Sequence, residues 1–111
     1  MSQLKDTLER KAKQISEDPI RMESVRDWID GFWGKIINFK TPDESYHLVF
    51  TKDRVELREG SYPSCEVHYR GSEEAVLEIL NGESGVASSV KTGRLKMWGS
   101  LNEATRFEGI L

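Results

Sequence analysis

The chain has 111 residues, with 16 Lys+Arg against 19 Asp+Glu and a formal net charge of −3. Its 37% hydrophobic residues and nine glycines match an ordinary globular chain, which suits one domain over 1–111 and excludes a disordered acidic tail, a collagen or a coiled-coil rod. The acid excess argues against a nucleic-acid partner, no apolar run is long enough to span a membrane, and the polar start of the chain lacks a signal-peptide core, which points to the cytoplasm.

The pattern predicts a first helix over 3–16, where Leu4, Leu8, Ala12 and Ile15 form a narrow apolar stripe. So thin a stripe suits a helix lying across the domain surface. Asp18-Pro19 interrupts it, because proline removes a donor and drives the preceding residue from the α region. A second helix is expected from about Ser24, with Ser24 and Asp27 at capping-box spacing. Val25, Trp28, Ile29 and Phe32 give it a heavier apolar face, and Gly31 and Gly34 end it. From residue 35 the period becomes two, predicting strands over 35–41, 45–51, 54–59 and 65–70. Cys65, Val67 and Tyr69 share one face of the last of these. The short connections predict a meander of mostly antiparallel pairs. Ser72 is the expected cap of a short helix through Ala75 to Leu80. A small helix around Val86 to Val90, a fifth strand over 94–98 and a last helix over 102–108 complete an α+β chain.

Catalytic motifs are weak. Cys65 is the one cysteine, and His68, three residues on, falls on the opposite face of a strand. The simpler reading of Cys65 is a small apolar residue on the inner face. His47 and His68 are out of phase with their apolar neighbours and read as sheet-surface histidines, not metal ligands. Residues 85–92 come close to a phosphate-binding loop, but Val90 stands where glycine is needed and no strand precedes them. No carboxylate is isolated in an apolar stretch. The residues therefore imply no enzyme, no cofactor and no metal. Trp98 faces the side opposite Leu95 and Met97, which marks it as a candidate contact residue.

The segment Gly93-Arg94-Leu95-Lys96-Met97-Trp98-Gly99-Ser100, preceded by the apolar helix Ala75 to Leu80 and Asn81-Gly82-Glu83, resembles the sterol carrier protein type 2 family. That family's last third reads as a short helix, a small helix, then Gly-Lys-Leu-Lys-Ile-x-Gly-Asp; here Arg94 replaces Lys and Ser100 replaces Asp. Trp33-Gly34-Lys35-Ile36, leading into the first strand, is similar too. The resemblance implies a five-stranded mixed, mainly antiparallel sheet with helices packed on one face. It also implies an apolar tunnel between the layers that takes a hydrophobic small molecule: a fatty acid, acyl chain, sterol or isoprenoid. Members often continue with a segment that helps close the tunnel, whereas this sequence ends at Leu111. A carboxylate head would fall to Arg94 or Lys96, for both of which solvation is the simpler reading.

Pattern selects Trp28, Phe32, Phe39, Leu48, Phe50, Val76, Leu80, Val90 and Met97 as candidate lipid-binding residues, and simple core packing accounts for the same residues equally well. The expected function is lipid binding or transfer without catalysis. The alternative is a solid-cored interaction or dimerisation module of the same fold. Transient membrane contact and a homodimer both stay open. A dry hole of roughly 300 Å³ would cost about 7 kcal/mol, comparable with the whole stability of about 5–15 kcal/mol. The tunnel is therefore expected to be narrow, occupied or closed.

Overall fold

The computed structural model describes residues 3–111; Met1 and Ser2 lie outside the described residues. The order of elements is α1 (Gln3–Glu17), α2 (Pro19–Ile29), β1 (Lys35–Lys40), β2 (Ser45–Phe50), β3 (Val55–Glu59), β4 (Val67–Gly71), α3 (Glu73–Leu80), α4 (Val86–Lys91), β5 (Leu95–Gly99) and α5 (Leu101–Ile110). The strands form one mixed sheet in the order β3-β2-β1-β4-β5.

The first helix corrects the sequence expectation. Leu4, Leu8 and Ile15 are fully buried, and α1 lies over β3 and β2 against α2 and α3. A thin stripe suffices because only one side of α1 meets the core. Asp18-Pro19 starts α2 at once. Asp18 caps it by accepting from the Ile20 and Arg21 amides at 3.0 and 3.3 Å, and Pro19 occupies the first turn, where no amide partner is needed. Ser24, expected as a cap, instead lies inside α2, where its hydroxyl donates to the Ile20 carbonyl.

The second correction concerns the strands. β1, β2 and β3 pair antiparallel, but β4 pairs parallel with β1, in the register Ile37↔Val67 and Phe39↔Tyr69. The link from β3 to β4 therefore crosses two strands. It runs over the sheet face opposite the helices as a strap. Asn38 holds it by donating to the Tyr62 carbonyl at 2.8 Å and accepting from the Tyr62 amide at 3.0 Å. His47 meets the Gly60 carbonyl at 2.8 Å, and the Glu66 carboxylate accepts from the Ile36 amide. Cys65 belongs to this link, beside Asn38, rather than to the inner face of β4.

β5 adds antiparallel to β4, with His68 opposite Trp98 and Tyr69 opposite Met97. Gly99 has φ +109°, and a methyl there would strike the Glu66 carbonyl. The last glycine of the Gly-x-Leu-Lys-x-x-Gly segment is thus fixed by close approach of two strands. Gly34 is similar, since its Cβ would lie 2.5 Å from the Phe50 carbonyl oxygen.

Candidate functional site

Strand alternation sends Ile37, Phe39, Leu48, Phe50, Val67, Tyr69 and Leu95 toward the helices. Opposite them stand Trp28 and Ile29 of α2, Val76 and Leu80 of α3, and Ala104 and Phe107 of α5. Six of the expected site residues are brought together in this inner layer: Trp28, Phe39, Leu48, Phe50, Val76 and Leu80, all buried. Met97 is partly buried against it. Phe32 and Val90 stand outside, 65% and 41% exposed. Phe32 falls beyond the last helical turn of α2, where its period no longer points inward. Val90 lies on the outer side of the short α4.

The layer is filled at its centre. The Phe107 ring lies 5.7 Å from Phe50, 5.9 Å from Phe39, 6.1 Å from Tyr69 and 6.5 Å from Trp28, between ring centroids. One side chain of α5 therefore occupies the space between sheet and helices that the resemblance assigns to a tunnel.

Polar fastenings hold α5 in place. Ser100 caps it by accepting from the Glu103 amide. The Glu103 side chain, at capping-box spacing, reaches across instead of back. It accepts from the Trp28 indole and from the Lys35 ammonium at 2.7 Å. Lys35 is only 6% exposed, and its ammonium also sits 4.7 Å from the Phe32 ring centre. Burial would raise the Glu103 carboxyl. The hydrogen bonds from Lys35 and Trp28, with the charges of Lys35 and Arg106, outweigh it and hold the group below the usual carboxylate range. Near the other end, the Glu108 carboxylate accepts from the Val86 amide at 2.6 Å.

A cavity of about 270 Å³ opens where α1, the α3–α4 turn and the last turn of α5 meet. Lys11, Ile79, Leu80, Ser84, Glu108 and Leu111 are among its walls. Arg94, one of the two cations the sequence offers for a carboxylate head, is committed elsewhere, to Glu78 at 2.7 Å and Glu74 at 3.9 Å. Lys11 was legible only as a lysine between Leu8 and Ile15, at the edge of the stripe.

The groups considered for chemistry are placed apart. β1 separates His47 from His68, with Asn38 between them. Burial pushes the Cys65 thiol up, which weakens it as a nucleophile. Trp98 lies on the outer face, half-exposed, edge-on to His68 at 5.5 Å.

The sequence profile of the SCP-2 sterol transfer family matches residues 10–111. The chain belongs to that family. Solved structures share the fold. Sterol carrier protein 2 from Yarrowia lipolytica, in its apo form, superimposes with a TM-score of 0.68 at 21% identity, over 95% of this chain and 84% of that one. A UbiJ-SCP2 ubiquinone synthesis protein gives 0.74 at 12% identity, over 96% and 90%. The sec-alkylsulfatase Pisa1 from Pseudomonas sp. gives 0.69 at 17% identity over 81% of this chain, which spans only 14% of the sulfatase. No curated protein matches the sequence. No described helix of this SCP-2 family chain is long and apolar enough to cross a membrane.

Proposed function

We propose that this protein binds a lipid in the layer between sheet and helices and releases it again without a covalent step. The observation that carries the reading is the family match across residues 10–111. The geometry supports it by lining the layer with Trp28, Phe39, Leu48, Phe50, Val76 and Leu80, and by closing it with a helix whose ends are fastened through carboxylates. Phe107 fills the centre, which avoids the cost of a dry void. An acyl chain or sterol would enter by displacing α5, exchanging one buried apolar surface for another. That near-equality suits a carrier, which must both take up and give back its load.

Native mass spectrometry of protein purified gently from lipid-containing extract tests the reading. A lipid adduct is expected, and its removal should lower the melting temperature. A ligand present at a hundred times its Kd stabilises by about 2.7 kcal/mol. A protein that carries no adduct and whose melting point is unmoved by added fatty acid or sterol would exclude lipid binding.

A second reading takes the filled layer as permanent and the domain as an interaction module. The half-exposed Trp98 and Leu101, at 51% and 53%, favour it. It requires an assembly that Trp98→Ala breaks in light scattering, with no lipid uptake.

A further inference from the structure

The cavity beside Lys11 holds a cation without a counter-ion above an apolar floor. Lys11 is half-buried, and no carboxylate pairs with it among the described residues. Burial lowers its pKa, and the positive charges of Arg10 and Arg21 lower it further. Among the side chains on the cavity wall Glu108 is the carboxylate, and it is engaged with the Val86 amide. Ile79, Leu80 and Leu111 provide the floor, and Leu80 itself belongs to the inner layer. A partly desolvated ammonium without a paired carboxylate gains from an arriving anion.

A second polar group nearby is also unsatisfied. The Tyr69 hydroxyl is buried and finds no hydrogen-bond partner in the protein. Its ring lies 6.1 Å from that of Phe107, the residue before Glu108. A buried donor left unpaired is costly and is relieved by an acceptor oxygen.

We propose that this cavity seats the carboxylate head of a single-chain fatty acid, with Lys11 as its counter-ion and the chain passing over Leu80 into the space that Phe107 fills. The proposal rests on the lipid-binding reading and narrows it to anionic, single-chain ligands. The volume of about 270 Å³ lies just under the usual range for ligand pockets, roughly 300–1,000 Å³. It therefore admits a head and the start of one chain. A single lysine supplies one positive charge, which matches one carboxylate.

The test compares palmitate, hexadecanol and palmitoyl lysophosphatidate as ligands of the whole protein and of two variants, Lys11→Met and Lys11→Arg. The wild type should bind palmitate at least about tenfold more tightly than hexadecanol, the scale of a charge-assisted contact. Lys11→Met should erase that preference and leave hexadecanol affinity unchanged, and Lys11→Arg should keep it. Removing one cation from beside two others does not threaten folding, and an unchanged melting temperature checks this. Palmitate bound equally by the wild type and Lys11→Met overturns the seat while lipid binding stands. A preference for lysophosphatidate over palmitate overturns the carboxylate assignment. A wild type that binds none of the three ligands overturns the lipid-binding reading itself.

Discussion

The two helices at the ends of the chain cover the same sheet by different means. α1 offers a continuous stripe, Leu4, Leu8, Ala12 and Ile15, with three of the four fully buried, and Ser16 ties it to the backbone of β3 at Val55. α5 offers three buried residues, Ala104, Phe107 and Ile110, and is otherwise fastened by Glu103 and Glu108. Apolar burial is spread along a helix and yields only when the core opens. A carboxylate fastening is local and can open without opening the core, at the cost of leaving its partners unpaired. On the proposed lipid-binding reading, the difference makes α1 the scaffold and α5 the element that a lipid would displace.

That contrast can be broken or sharpened by experiment. Phe107→Ala should have the largest effect, about 3–5 kcal/mol, because the ring contacts four others and its removal leaves a void. Denaturant unfolding measures it, and a loss below about 1 kcal/mol would mean the ring is not central. The same variant should take up lipid more readily, since the space is then vacant. Leu8→Ala should cost about 3 kcal/mol, with exchange of all core amides accelerated together. If it loosened α5 alone, the scaffold role of α1 would fail. Glu103→Ala should cost about 2 kcal/mol, because it strands the buried Lys35 ammonium and the Trp28 indole. Here the loss should be local: hydrogen exchange in α5 faster by roughly thirtyfold, with α1 unchanged.

The Glu103 fastening also carries a pH dependence. Its carboxyl lies below the ordinary glutamate range in the folded protein. A group depressed on folding contributes stability that is fully present above its unfolded pKa and is lost as the pH falls through the folded value. Protection of α5 should therefore hold from neutrality to about pH 5 and decline below that. Glu103→Gln should remove the decline. The smallest effect belongs to Tyr69→Phe, which deletes a buried hydroxyl that has no partner. The empty protein should gain up to about 1 kcal/mol, read as a higher melting temperature. A clear loss would show that the hydroxyl is satisfied after all.

Much of this arrangement is legible in the sequence, for identifiable reasons. The periods of α3, β2 and β5 are unambiguous, and the Gly93–Ser100 segment carries the family. Alternation alone puts Trp98 opposite Met97. Other features depend on tertiary partners that periodicity does not encode. Asp18-Pro19 has the composition of a break and also of a capped helix start, and only the Ile20 and Arg21 amides distinguish them. The parallel pairing of β4 with β1 follows from a link held down by Asn38 and His47, whose polar side chains read as surface. At the site, the inner-layer residues follow from alternation, whereas Glu103 reads as a routine cap and Lys11 as an ordinary helical lysine. What makes these two distinctive is a partner gained by one and a partner lacking for the other.

The strap from Gly60 to Glu66 has a consequence for the order in which the protein assembles. The hairpins β1–β2 and β2–β3 join neighbours in sequence, and β4–β5 is also a unit of the C-terminal half. The centre of the sheet, however, joins Ile37 to Val67, and that ring closes only after the chain has doubled back across two strands. Long closures are slow because their entropy is lost before their contacts form. The seam between β1 and β4 is therefore expected to be the last to zip in refolding and the first to part under load, dividing the molecule into an N-terminal half bearing α1 and a C-terminal half that carries α5 with it.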